Sequence, residues 1–506
     1  MQAALPARDR VSWIVAPLAL LAFHCATLHG YGIFRDELYS LACADHLGWG
    51  YVDHPPLSIL ILAATRAVAG DSVEAIRIPA AIAAAGMALL TVSLARVLGA
   101  GTFGQRLAAL SAALFPIGIA LTGFYSMNAL DLVLWTACLR ILAAILAGAD
   151  PRLWLAFGAL AGLGLQNKIS MLLLGAGAIA GLVAGGRWRL LASRWAWMGG
   201  VLAAGIFLPH LAWQAANGWP TREFMANARQ FKMTGLDPAG FMTEQLLNAN
   251  PGALPVWGGA VLFLLLDRSA RPWRAFGWFA VVVTGVMMAA GAKSYYLAPV
   301  FPLLFAAGGR AWERWAVHRW ARWALAGLVI AGGIPALPLV KGILPVETLA
   351  AYRRATGITP ASGERHALGR LPQLFADQHG WRELAVAVAR VRDRLPVSER
   401  DRACIFGQNY GQAGAIDYFG RDFGLPRAVS GHNSYWLWGP RDCGRETWIV
   451  IGDDRASLEA IFESVELGAT FECGLCMPYE DGKPIWIARQ MKREPAAQWP
   501  STRHFI

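Results

Sequence analysis

Up to residue 341 the chain is a succession of long apolar runs, and almost every charge sits in a short gap between them; beyond that point charges are scattered at soluble-protein density. A hydrocarbon core needs about 20 apolar residues per helix, fewer where neighbouring helices shield it. By that measure about eleven runs qualify as spans, at 11–30, 74–95, 105–124, 128–147, 153–166, 170–185, 196–215, 253–267, 275–291, 295–309 and 322–341. Composition agrees: 56% of the 506 residues are hydrophobic and 16% charged, where soluble domains carry about a quarter charged. The expected architecture is a polytopic α-helical membrane part, 1–341, followed by a soluble α/β domain, 342–506.

Charge placement orients the runs. Arg8 and Arg10 precede the first; Arg96 and Arg106 flank the gap after the second; Arg152 follows the fourth. Arg187, Arg189 and Arg194 follow the sixth, Arg268, Arg271 and Arg274 the eighth, and Arg310, Arg314, Arg319 and Arg322 the tenth. All fall on one side if odd-numbered spans run outward, and the positive-inside rule makes that side cytoplasmic. The intervening large gaps, 31–73 and 216–252, are then outer loops, and an odd number of spans leaves 342–506 outside. The net charge of +11 is largely this loop arginine. No basic stripe interleaved with aromatics occurs, so nucleic acid is set aside. The first run lacks a convincing cleavage site and reads as an uncleaved helix.

Gly177, Gly181 and Gly185 recur every four residues, a close-packing signal between helices. No complete GxGxxG and no Walker motif occurs, which argues against a nucleotide-driven pump. In the tail, Trp381 to Arg392 reads as an amphipathic helix and Thr447 to Gly452 as a buried strand. Four of the seven cysteines lie there: Cys404, Cys443, Cys473 and Cys476. An exported domain favours at least one disulfide; Cys473 with Cys476 is the nearest pair, and Cys443 with either is equally open. A lone CxxC is a weak zinc signal. Cys25, Cys43 and Cys138 read as buried apolar fillers.

The first outer loop is the most informative stretch: Phe34-Arg35-Asp36-Glu37-Leu38-Tyr39, then Tyr51-Val52-Asp53-His54-Pro55-Pro56-Leu57. The bland reading of Asp36 and Glu37 is a pair of solvated loop carboxylates. Against it, 57–69 is apolar yet too short to span, so it is expected along the interface, pinning the loop where a lipid headgroup meets carboxylates.

These residues carry a resemblance. The Asp-Glu pair after the first span, the Asp53-His54-Pro55-Pro56-Leu57 element and Arg77-Ile78-Pro79 at the second span resemble the C-type membrane glycosyltransferases. The bacterial branch related to protein O-mannosyltransferases and to the aminoarabinose transferase of lipid A is the nearest in pattern. The resemblance continues through Tyr125 to Asp131, Gly164 to Lys168 and Lys293 to Pro299, and in the tail through Asn409 to Ala413 and Gly431 to Pro440.

The resemblance implies inverting transfer of a sugar from a polyprenyl-phosphate donor to a lipid A, glycan, lipid or protein acceptor. The protein is expected to be a multi-pass monomer of the bacterial inner membrane, with the cytoplasmic N-terminus and outer, periplasmic tail that the arginine placement gives. A base must take the acceptor's proton, and a partly desolvated carboxylate suits that work. Asp36 is the expected base, with Glu37 second. The departing lipid phosphate needs cations. Arg35, His54, Arg77, Lys168 and Lys293 are the candidates, each with interfacial snorkelling as its bland reading. The aminoarabinose branch has Lys before Pro-Pro, where this chain has His54. That branch also implies a divalent metal held by residues like Asp53 and Tyr296 with a histidine; the 216–252 loop holds no histidine, only Asn227 nearby. The competing class is a polytopic lipid or solute transporter, but no internal repeat with broken helices is evident.

Overall fold

The computed structural model describes residues 7–358 and 364–506, with side chains from Trp13 onward. Arg8 and Arg10, used above for orientation, have side chains outside the described residues. The chain forms two compact units from interleaved segments.

The first unit comprises the chain up to Leu28, Val68–Ala212 and Thr234–Pro345. It is helical, as apolar runs rich in Ala and Leu dictate where the backbone must satisfy itself. Helix starts carry their caps: Ser72 accepts from the Ala75 amide and Ser126 from that of Asn128. Gly177 and Gly181 lie where a Cβ would collide with Val283 and with the Ala275 carbonyl, so the helices Met171–Ala184 and Arg274–Ala289 pack backbone to backbone.

Among the described residues, five helical stretches are long and apolar enough to cross a membrane: Val73–Val97, Met127–Leu146, Arg194–Ala216, Arg268–Ala289 and Arg319–Val340. Pro238–Asn248 and Pro251–Leu266, bent by 97°, would make a sixth if they form one span. Trp13–Ala26, Leu57–Ala69, Leu153–Asn167 and Met171–Ala184 are apolar but shorter. The run 105–124 is broken: one helix ends at Ala113 and another opens at Pro116, whose missing N–H cannot continue the ladder. The run 295–309 starts as a 3₁₀ turn, Ser294–Val300, before the helix Phe301–Trp315.

The second unit comprises His29–Ala67, Trp213–Met233 and Val346–Ile506. Its sheet has four strands, β1 (Cys404–Gly407), β2 (Thr447–Ile451), β3 (Phe462–Phe471) and β4 (Lys483–Met491), in the order β1-β2-β4-β3. β1 and β2 are parallel, which requires a crossover; the chain between them includes the helix Tyr410–Phe419. β4 runs antiparallel to both its neighbours, with a register shift between Leu467 and Ala469. All five residues of β2 are buried, matching its unbroken apolar sequence. The amphipathic helix Trp381–Asp393 buries Trp381, Leu384, Ala385, Val388, Ala389 and Val391 and turns Arg382 and Arg390 outward.

The cysteine pairing differs from every pair anticipated. Cys404 is bonded to Cys443, while Cys473 and Cys476 are free. Cys404 opens β1 and Cys443 precedes β2, so parallel strand pairing brings their Cα atoms to 5.7 Å. Cys43 and Cys138 are buried as expected, but Cys25 is exposed.

Candidate functional site

Asp36 and Glu37 are not loop residues. They occupy the first turn of a helix, Arg35–Asp45, where carboxylates complement the helix dipole. A single step of about 100° around the helix separates their fates. Glu37 is fully buried, and its Oε2 reaches back 2.8 Å to accept from the Phe34 amide, closing the helix N-terminus. The Asp36 side chain is 45% exposed, accepts at 2.9 Å from the Tyr410 hydroxyl through Oδ1, and lies 3.5 Å from Arg35 Nε. Burial pushes the Tyr410 phenol well up, so it stays a donor. The arrangement orients one carboxylate oxygen of Asp36 while the side chain remains open to solvent.

Arg35 opens this helix and is only 8% exposed. Its guanidinium donates to the Tyr479 hydroxyl, stands 3.8 Å from Asp377 Oδ2 and lies over the Tyr410 ring. Its backbone amide donates to the Asp377 carbonyl at 2.9 Å. Asp377 is pushed up to about 6 by burial, with Arg35 pulling the other way. Glu480 is likewise raised by burial, opposed by its bonds from Gln412 and Asn409 at 2.7 Å each. Arg35 is thus committed to buried carboxylates and phenols.

Asp53 and His54 follow in the same unit. Asp53 Oδ1 accepts from Tyr39 at 2.9 Å; the Tyr39 hydroxyl is also 2.7 Å from Ser434 Oγ, and Ser434 Oγ accepts from the Val52 amide at 3.1 Å. His54 is buried between the rings of Tyr39 and Tyr51. Its Nδ1 is 3.0 Å from the Pro55 carbonyl, which can only accept, so Nδ1 carries the hydrogen. Its Nε2 is 3.9 Å from Asp53 Oδ1, beyond a hydrogen bond.

The remaining candidates belong to the first unit. Arg77, 1% exposed inside the helix Val73–Val97, donates to the Leu28 carbonyl at 2.6 Å. Lys168 donates to Asn128 Oδ1 at 2.7 Å, lies 3.7 Å from Asp131 Oδ2 and 4.5 Å from the Tyr296 ring centre. Asp131 also accepts from Ser170 at 2.9 Å. Lys293 is half-buried, with its ammonium 6.0 Å from the centre of the Tyr295 ring. Tyr296 therefore faces an ammonium, and Asp53 is taken up by Tyr39. Among the described residues no group of three or more His, Cys, Asp or Glu is placed to hold a metal. These surroundings do not fit a divalent cation, and no step is routed through one.

Sequence reasoning passed over the partners that organise these residues. Tyr410 and Ser434 lie within stretches that carried the resemblance, as do Asn128 and Asp131, so motif membership was their signal. Asp377, Tyr479 and Glu480 had none.

Compared with known families, residues 53–213 match the model of dolichyl-phosphate-mannose-protein mannosyltransferase. Among solved structures, ArnT from Cupriavidus metallidurans in its apo state matches with a TM-score of 0.61 at 15% identity, covering 95% of this chain and 98% of ArnT. The same protein bound to undecaprenyl phosphate matches at 0.58 and 12% identity, over 94% and 98% of the two chains. The chain has the C-type glycosyltransferase fold of ArnT. Compared by sequence with curated proteins, the chain matches none. Within the C-type fold, the family-matched stretch carries Asp53, His54, Arg77 and Lys168, while Arg35, Asp36, Glu37, Lys293 and Tyr296 lie outside it.

Proposed function

We propose that the protein transfers a sugar from a polyprenyl-phosphate donor to an envelope acceptor at the outer face of the bacterial inner membrane, with inversion at the anomeric carbon. The observation that carries the reading is Asp36: a half-exposed carboxylate on a capped helix, aimed by a buried phenol, in a chain of C-type fold. The acceptor hydroxyl attacks the anomeric carbon, the bond from that carbon to the phosphate oxygen breaks, and Asp36 takes the hydroxyl proton. Polyprenyl phosphate leaves with the bonding electrons, and its charge calls for cations. Lys293, a half-buried ammonium, suits that part better than Lys168, whose side chain is 13% exposed and held by Asn128 and Asp131. Arg35 and Arg77, both buried, are assigned to holding the scaffold, and Glu37 to capping. His54, with its Nδ1 hydrogen engaged, offers Nε2 as an acceptor, a poor partner for phosphate.

The chain is further proposed to be multi-pass with a cytoplasmic N-terminus and an outer tail. Helices such as Arg194–Ala216, which leave Trp197, Val201 and Leu208 exposed, support a lipid-facing surface. The test is mass spectrometry of envelope lipids and glycans from cells with and without the protein. One acceptor class should lose a single sugar while a polyprenyl-phosphate sugar accumulates. Identical profiles would overturn the reading.

A further inference from the structure

The connection between β3 and β4 carries two thiols that play no part in the chemistry above, Cys473 and Cys476. Gly474 takes a φ of +72°, in the left-handed region, and the Asp481 carboxylate accepts from the Cys473 and Gly474 amides at 2.6 and 3.2 Å. That turn brings Cys476 back onto its partner. Its amide donates to Cys473 Sγ at 3.0 Å, and its thiol donates to the same sulfur. Cys473 Sγ also lies against Gly380, which caps the helix Trp381–Asp393; a Cβ there would stand 2.7 Å from the sulfur. The amides at a helix start favour a negative sulfur. The Cys476 thiol, first among the donors, holds Cys473 down to about 7 against burial and Asp481, and the same bond, then burial, pushes Cys476 up. The two differ in access as well: Cys473 is partly exposed and Cys476 only 7% exposed. Among the described residues no third His, Cys, Asp or Glu joins them in a set placed to hold a metal. Disulfide exchange needs one accessible sulfur present as thiolate at ambient pH and a second, protonated until it resolves the intermediate.

We propose that Cys473 and Cys476 form a thiol–disulfide exchange site, oxidised reversibly by the disulfide of a small external thiol. Cys473 thiolate attacks one sulfur of that disulfide, whose S–S bond breaks, and the first small thiolate leaves with the bonding electrons. Cys476 then gives up its proton and attacks Cys473 Sγ, which it already touches. The mixed disulfide breaks, the second small thiolate leaves, and the Cys473–Cys476 bridge remains. The protein dithiol loses two electrons and two protons, and the external disulfide becomes two thiols. The reverse sequence reopens the bridge.

The experiment equilibrates the full chain with reduced and oxidised glutathione over a series of ratios, blocks free thiols by alkylation and maps the peptides. Cys473 and Cys476 should shift from dithiol to disulfide as the ratio becomes oxidising and return as it becomes reducing. Cys43 and Cys138, both buried, should stay thiols throughout. This titration needs no substitution. A second arm uses Cys476→Ser, which keeps a donor beside Cys473 and removes the resolving sulfur, so one glutathione should remain on Cys473. In Cys473→Ser the buried Cys476 should take up none. A pair that stays open at every ratio would overturn the proposal. So would a pair bridged at every ratio, which would be a structural disulfide, or a folded Cys476→Ser chain that carries no glutathione on Cys473.

Discussion

Replacing Asp36 by Asn removes a proton acceptor while keeping the shape. The structure sets the folding cost low. The Asn carbonyl can still accept from Tyr410, and the lost ion pair with Arg35 is 3.5 Å long on a side chain 45% exposed. Such a pair contributes about 1 kcal/mol at most. Turnover should instead fall by about 10² or more, the scale for losing a general base. Donor binding should survive, since a lipid phosphate prefers cations. The neighbouring Glu37→Ala makes the contrast. It strips a buried acceptor from the Phe34 amide and should cost about 1–3 kcal/mol of stability, read as lost abundance. The assay is transfer from a defined polyprenyl-phosphate sugar by purified protein, alongside donor binding and thermal unfolding. A well-folded Asp36→Asn protein with full turnover would refute Asp36 as the base, and the role would pass to another group on acceptor or enzyme.

Other outcomes follow from the same packing. Lys293→Ala should raise the KM for donor by about tenfold, one charge-assisted hydrogen bond, with abundance held, whereas Arg77→Ala should cut abundance, because it leaves the Leu28 carbonyl without that buried donor at a cost of about 1–3 kcal/mol; donor titrations and expression levels separate the two. Cys443→Ser should destabilise the tail by about 2–4 kcal/mol, and non-reducing peptide mapping of the parent should join Cys404 to Cys443 and leave Cys473 and Cys476 open to alkylation. Asp377, raised from an ordinary 3.8 to about 6, holds a proton in the folded state that the unfolded chain releases in that window. Stability should therefore fall as pH rises from about 4 through about 6, by up to about 1.4 kcal/mol per pH unit, and Asp377→Asn should flatten that stretch of a melting-temperature profile.

Much of this was legible in the residues alone. Apolar runs announce helices because the period and length of a run are local properties, and the runs at 74–95, 128–147 and 196–215 became Val73–Val97, Met127–Leu146 and Arg194–Ala216. The motif residues Asp36, Asp53 and Lys168 stood out because their neighbours in sequence form a recognisable order. The amphipathic helix at Trp381 and the buried strand at Thr447 followed from periodicity in the same way. Tertiary structure alone decided between two adjacent carboxylates. Glu37 turned inward as a cap and Asp36 outward, and the phenol that orients Asp36 comes from Tyr410, 374 residues along the chain. It also closed Asp377 and Tyr479 around Arg35, and chose Cys404 for Cys443 by laying β1 beside β2. Those contacts join residues far apart in sequence, and spacing carries no record of which distant side chain will arrive to pair a charge or bury it.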